Sequence, residues 1–339
     1  MSRAILLAVS LILAGLIAAR TGFPDVHAAP NGLLLVANKG DQTLGIIDPV
    51  EGRQVGTVSE GGITGHEVIA SPDGRLAYVP IYGNSGVGKP GTDGKNIVVI
   101  DIAARKVVGN VEFARGIRPH CPMFSPKDGL LYVTTELEDA VTVIDPHTLR
   151  IIGAIPTARP ESHMLAITRD GHYGYTTNVG SGSVSLLDME KRTTLAVIPV
   201  APVVQRIALS VDDRLAFTSD QTKPQLAVID TRTRKVASWV PLPAEGYGTA
   251  ATPDGNWLVI AMQAAKQVGV LNLKTFKVEH TIDVPAAPQE VLIRPDGAVA
   301  YVSCDASHKV AEIRTSDWTV ARLIDAGAGV DGLAWARTK

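Results

Sequence analysis

The chain has 339 residues, 45% of them hydrophobic and 19% charged, with a formal net charge of −2. That length suits one large domain or two ordinary ones, and the apolar share argues against disorder. With no basic surplus to neutralise phosphates, composition gives no support to nucleic-acid binding.

Arg3 opens the chain, followed by an uninterrupted run of apolar, small and hydroxyl residues from Ala4 to Ala19. A membrane-crossing helix needs about 20 apolar residues, so this run is short for one. Val26-His27-Ala28 then supplies small residues at the −3 and −1 positions of a cleavage site. The pattern reads as a secretory signal over 1–28 and a mature domain over 29–339. The expected setting is periplasmic or secreted, with no membrane span after cleavage; an uncleaved anchor is the alternative.

From Leu33 onwards the sequence repeats. Asp-Gly turns recur at Asp73-Gly74, Asp128-Gly129, Asp170-Gly171, Asp254-Gly255 and Asp296-Gly297, with Asp212-Asp213 in the same slot of another unit. Each precedes a short apolar, often aromatic run such as Leu76-Ala77-Tyr78-Val79 or Leu131-Tyr132-Val133-Thr134. A polar loop follows, then a β-branched run ending in Asp, then a fourth run such as Lys106-Val107-Val108-Gly109. The closing residue falls at Asp48, Asp101, Asp145, Asp188, Asp230, Asn272 and Arg314, giving spacings of 53, 44, 43, 42, 42 and 42. Four short strands in about 40–45 residues make a propeller blade. Asx-Gly turns and β-branched strands agree, and no helical periodicity appears after the signal.

The first unit starts with a second-type strand and lacks an innermost one. The last run, Asp331-Gly332-Leu333-Ala334-Trp335, is of innermost type with no blade after it. The expectation is an all-β, seven-bladed propeller of four-stranded antiparallel blades, closed by pairing strands from both ends of the chain in one blade. Cys121 and Cys304 fall in distant blades and are expected to be free thiols. Trp239, Trp257, Trp318 and Trp335 read as blade packing, and a monomer is expected.

The units resemble YVTN-type (YncE-like) propeller repeats of exported prokaryotic proteins. The likeness rests on Ser71-Pro72-Asp73-Gly74 with Ala77-Tyr78-Val79, and on Tyr175-Thr176-Thr177-Asn178. It covers nearly all of the mature chain. It implies the fold and leaves activity open, since such propellers include binders, structural proteins, lactonase-type and cyclase-type enzymes and redox proteins.

Chemistry is expected where the innermost strands begin. Five positions before each turn motif stand His66, His120, His163, Gln205, Tyr247 and Gln289, with Asp331 in the terminal strand. All seven are polar, and three of the chain's eight histidines share this one position. Imidazoles from consecutive blades suit a transition metal such as copper, zinc or iron, with Glu67, Glu161 or Asp331 as a further ligand or orienting partner. The alternative is a polar channel rim holding water, an anion or another small molecule. A second arrangement uses no metal: Arg118 and Arg206 would grip a carboxylated substrate while His120, Glu161 or Glu290 acts as general base. Cys304, with Asp305 and His308, is a further candidate on this face, whereas Cys121 is expected to point away from the channel.

The segment Tyr82 to Asn96 is an insertion on the ligand face beside His66, read either as a lid or as a tolerated surface loop. Gly83 to Lys89 matches the glycine-rich phosphate-loop pattern, but Pro90 stands where Ser or Thr should bind magnesium and no helix follows, so no nucleotide is expected. No haem-attachment motif and no nucleophile elbow occurs. The leading reading is an exported binding propeller with a His-rich site for a small-molecule ligand or a protein partner. The others are a lactonase-like, cyclase-like or metal-dependent enzyme at the same face, and a purely structural or interaction propeller.

Overall fold

Three of the five Asp-Gly turns, at Asp73, Asp170 and Asp254, close by the same local chemistry. Ser71 donates its hydroxyl to Asp73 Oδ1 at 2.6 Å and accepts the Leu76 amide at 2.9 Å, while Gly74 adopts φ +74°. The set recurs as Thr168, Asp170 and Tyr173, and as Ser210, Asp212 and Leu215. In the latter unit Asp213 takes the left-handed position that glycine fills elsewhere. The Asp that ends each third strand has its own task. Asp48, Asp101, Asp145, Asp188 and Asp230 each accept backbone amides from the turn that follows.

These signals produce the expected architecture. The computed structural model describes residues 31–338, and the expected signal segment lies outside them. The described residues form seven four-stranded antiparallel sheets arranged as a ring. Innermost strands, in chain order, are Ile69–Ala70, Pro119–Phe124, Ser162–Ile167, Ala208–Leu209, Thr249–Ala251, Pro288–Ile293 and Val330–Arg337. The last belongs to the first blade. It pairs antiparallel with Gly32–Asn38, setting Leu34 opposite Trp335 and Leu35 opposite Ala334. The insertion partly lengthens its hairpin: the flanking strands are Leu76–Gly83 and Asp93–Asp101, joined by a loop over 84–92.

Apolar side chains pack between blades. One cluster joins the first and second blades through Leu35, Ile46, Val79 and Ile100. Others join second to third, third to fourth to fifth, fifth to sixth and sixth to seventh. The ring is completed by Leu34, Val36, Tyr301, Val310 and Leu333, which join the seventh blade to the first. Every junction is therefore apolar, and the channel lies along the axis.

Closure rests on the terminal strand, whose Val330, Leu333, Ala334 and Ala336 are all buried. Each large side chain withdrawn from such a core costs roughly 1.5–3 kcal/mol, and an unpaired edge strand is left behind. Deleting residues 330–339 should lower the thermal midpoint markedly and broaden the transition followed by circular dichroism. An unchanged melt would show that closure does not stabilise the ring.

Candidate functional site

Innermost strands carry side chains in tiers down the channel, about 3.3 Å apart along each strand. At four blades the ladder is interrupted where it meets the channel. Pairing skips from Pro119 to Pro122, from Ser162 to Leu165, from Pro288 to Val291 and from Val330 to Leu333. At the first three a hydroxyl from the neighbouring strand replaces the missing backbone partner. Thr134 Oγ1 accepts the Cys121 amide at 2.9 Å and donates to the His163 carbonyl at 2.6 Å. Thr177 accepts the Met164 amide and donates to the Gln205 carbonyl, and Ser303 accepts the Glu290 amide. The hydroxyl residue of the repeat motif thus satisfies three of the bulges that aim side chains into the channel.

The first tier is the row expected from the repeat. His66, His120, His163, Gln205, Tyr247, Gln289 and Asp331 line one polar chamber of about 290 Å³, with Lys39, Tyr82, Arg206 and Gln263. His120 and His163 stack with ring centroids 3.9 Å apart, and His66 meets His120 edge-on at 5.8 Å. Tyr82 stacks on His66 at 4.6 Å and lies edge-on to His120 at 5.1 Å. Burial is the main cause that keeps these imidazoles neutral. It holds His66 at about 4 and His163 at about 3, and it pushes His120 well below its ordinary value. The Arg206 charge adds to the effect at all three. His120 and His163 each keep a buried Nδ1 with no hydrogen-bond partner. The rings pack on one another and on Tyr82 instead of converging on a point. Among the described residues no group of three or more His, Cys, Asp or Glu is arranged to hold a metal ion.

The second tier closes the chamber floor. Arg206 reaches across the channel to carboxylates from three other blades. Its Nη1 donates to Glu67 Oε1 at 2.7 Å and to Glu290 Oε2, and its Nη2 donates to Asp331 Oδ1 at 3.2 Å. The guanidinium also lies 5.1 Å from the Tyr247 ring centroid. Lys39 bridges Asp331 at 3.2 Å and Asp305 at 2.7 Å. Burial raises Glu67 and Glu290 although Arg206 pulls the other way; for Asp331 burial is outweighed by Lys39 and Arg206, and its pKa falls. Gly332 leaves room for this crossing, since a Cβ there would stand 2.6 Å from Glu67 Cα and Oε2.

Arg118 has a different place from the one expected. It is buried and holds the inserted loop, donating to Asp93 Oδ1 at 2.6 Å, Glu136 Oε1 at 2.9 Å and the Lys89 carbonyl at 2.6 Å. Glu136 also accepts from Tyr82 Oη and from the Gly88 amide. Gly86 and Val87 of this loop line the polar chamber, so the insertion covers the site. Gly83 ends a strand, Gly88 lies in a turn, and the segment runs on into the strand Asp93–Asp101 rather than a helix.

Both arginines therefore have carboxylate partners within the chain; Arg206 engages them through Nη1 and Nη2 and keeps a buried Nε without a partner. Glu161 lies against the inserted loop near Gly88, outside the chamber lining. Cys304 departs further from expectation: it is fully buried between blades with Val302, Ala311 and Ile313, and its thiol lies 3.6 Å from the Val302 carbonyl. Cys121, expected to face away, lines the channel below the floor. Both thiols are free, as expected. Trp335 also lines that lower channel, whereas Trp257 and Trp318 pack edge-on at 5.6 Å between blades. Sequence reading missed Tyr82 and Glu136 as site-builders. The only signal was their position in, and opposite, the insertion.

No family model matches the chain, and no curated protein matches it. Solved structures do match in fold. A hydrazine synthase chain from Kuenenia stuttgartiensis aligns with a TM-score of 0.73 at 18% identity, covering 87% of this chain and 99% of that one. A protein of unknown function from Desulfotomaculum acetoxidans aligns at 0.74 and 12% identity, covering 91% and 99%. The dihydro-heme d1 dehydrogenase NirN, in complex with DHE, aligns at 0.66 and 15% identity, covering 91% and 76%. At these identities the likeness shows the propeller fold alone. The YVTN-type resemblance of the repeats finds no matching family model.

Two outcomes follow from the charges. Arg206→Met would leave Glu67, Glu290 and Asp331 buried without their cation, at a cost of about 3–5 kcal/mol at neutral pH. Carboxylates without it bind protons more tightly when folded than unfolded. The deficit against the parent protein should therefore shrink as pH falls towards the ordinary carboxylate range near 4.5, and urea melts across pH read it. The histidines act with the opposite sense to the bare carboxylates. Folded His163 titrates at about 3 against 6.5 when exposed, so the unfolded chain gains its proton first and stability falls with pH below 6.5. By pH 5 this one group should have cost about 2 kcal/mol. A His163→Asn variant should lose less stability over that interval than the parent.

Proposed function

We propose that this propeller is a binding protein whose small polar ligand sits in the upper chamber against His66, His120 and His163. One observation supports it above the rest. Three imidazoles from consecutive blades meet in the neutral form, His120 and His163 buried and His66 partly exposed, and two carry an unpaired Nδ1. A polar ligand, reached by a turn of these rings, would satisfy those atoms. Gln205, Gln263, Gln289 and Tyr247 add uncharged donors and acceptors to the lining, and Lys39, Arg206 and Asp331 bring charge to the same chamber. About 290 Å³ sits at the small end of ligand pockets, which favours a compact molecule. The loop carrying Val87 supplies the cover. NirN, similar in fold, was solved in complex with DHE, so a related architecture holds a ligand in that case. The signal-like N-terminus supports export to a periplasmic or extracellular setting.

The unpaired Nδ1 atoms also favour a second reading. Neutral imidazole nitrogen is a donor for copper, zinc or iron, so the donor chemistry fits a transition metal. The stacked rings do not converge, so the arrangement does not fit one as it stands. An enzymatic reading retains His120 as a neutral base, but both arginines it relied on are engaged by carboxylates of the chain.

Tag-free protein, purified without chelator, should be analysed by native mass spectrometry and by plasma mass spectrometry for metals. A His66→Asn, His120→Asn, His163→Asn triple variant runs alongside, with its fold checked by circular dichroism. A small organic adduct in the parent that is missing from the folded triple variant supports the binding reading. Stoichiometric metal lost in the variant replaces it with the metal reading. Neither adduct nor metal, with no uptake on reconstitution, retires both.

A further inference from the structure

Below the Arg206 floor the channel continues as a second chamber of about 650 Å³, more than twice the volume of the upper one. Its walls are apolar. Ile69, Met123, Ile167, Ala208, Leu292 and Trp335 come from six different innermost strands and line it on the side of the Asp-Gly turns. No residue lines both chambers. The inner end differs from the walls, because Glu67 and Glu290 line it there and turn their carboxylates to Arg206. Across the floor, Arg206 and Lys39 stand among Glu67, Glu290, Asp331 and Asp305, and burial raises Glu67 and Glu290 above the ordinary carboxylate range. A cation on their open side would hold both in the ionised form. The outer rim carries the exposed Arg337.

We propose that the lower chamber is a second binding site, separate from the histidine chamber, for a small apolar primary amine. Its ammonium group would meet Glu290 and Glu67 at the inner end, while its hydrocarbon part fills the apolar channel. The chemistry selects the class. An ammonium has three donors for carboxylate acceptors, and its charge favours the ionised form of the two raised glutamates. A carboxylate in the same pose would face Glu67 and Glu290. A neutral alcohol would bury the same carbon without the charge. Alkyl burial contributes about 0.8 kcal/mol per methylene, so affinity should rise with chain length until the channel is full.

The test is isothermal titration calorimetry of the full chain with n-hexylamine, hexan-1-ol and hexanoate at neutral pH. Hexylamine should bind at least about 10-fold more tightly than hexanol, and hexanoate more weakly still. Glu290→Gln keeps the shape and leaves Arg206 with Glu67 and Asp331, and it should weaken hexylamine by about 10-fold. Ala208→Phe fills the channel away from the charged floor and should abolish binding, which keeps the test valid if Glu290→Gln unfolds the protein. The triple histidine variant should bind hexylamine within about twofold of the parent, since its changes lie on the other side of the floor. Equal binding of amine and alcohol, tighter binding of hexanoate through Arg337, or binding that survives Ala208→Phe would each overturn the proposal. Loss of amine binding in the triple histidine variant would overturn the separation of the two sites and leave the upper chamber as the amine's location.

Discussion

A single guanidinium sits where seven strands come closest, and the functional geometry depends on it. Arg206 ties Glu67, Glu290 and Asp331 across the channel axis, joining the fifth blade to the second, the seventh and the first. In an apolar setting such a group is costly to bury alone, and each carboxylate would be too. Together they are tolerated, because every charge finds a partner at hydrogen-bond distance. The network divides one continuous channel into a polar chamber and an apolar one. It also sets the protonation of its surroundings, since its positive charge reinforces burial in keeping three histidines neutral. A ring of imidazoles that would otherwise titrate near physiological pH is thereby held as a set of neutral hydrogen-bonding groups.

The fold was legible because each local signal has one physical solution. An Asp that ends a β-branched run accepts amides from the next turn, so Asp48, Asp101, Asp145, Asp188 and Asp230 mark the same strand end in five blades. Asn272 does the same for a sixth, accepting the Lys274 amide at 2.8 Å, while Arg314 keeps the position without that bond. The pairing of the first strand with the terminal run Asp331 to Trp335 also followed from counting innermost strands. The row of polar residues was equally visible. A repeat position is a fixed height in a propeller, and His66, His120 and His163 share one.

What the sequence concealed was direction. Repeat alignment gives a residue's height but not the partners that reach it from across the channel. Arg206 and Arg118 stand near ring positions and look alike in sequence. One braces the floor and the other anchors a loop, because their partners, Glu67 and Glu290 or Asp93 and Glu136, come from different blades or strands. Cys304 ends its strand next to the channel face, yet the strand's pleat turns it into the packing between blades. Cys121 follows His120 and would alternate away in a regular strand. The bulge held by Thr134 breaks that alternation and brings it to the lower channel. The period-two rule failed where a side-chain hydroxyl replaced a ladder bond.

That failure has a structural consequence. Four of the seven innermost strands carry the interruption, three of them opposite a Thr or Ser of the adjacent strand and the terminal one opposite Ala37. A regular strand would send neighbouring residues to opposite faces, so His163 and Met164 could not both face the channel. With the bulge they do, one in each chamber. The same holds for His120 and Cys121, and for Gln289 and Glu290. The two-chamber channel is therefore built by these bulges as much as by Arg206. At three of them a hydroxyl takes the amide that the ladder gives up. In the first blade Ala37 stands in that slot, the bulge persists, and the Gly332 amide donates to the His66 carbonyl at 2.9 Å instead. The hydroxyl thus satisfies a bulge that the propeller can also form without it, and its loss at the other three blades would leave a buried amide to be paired in some other way.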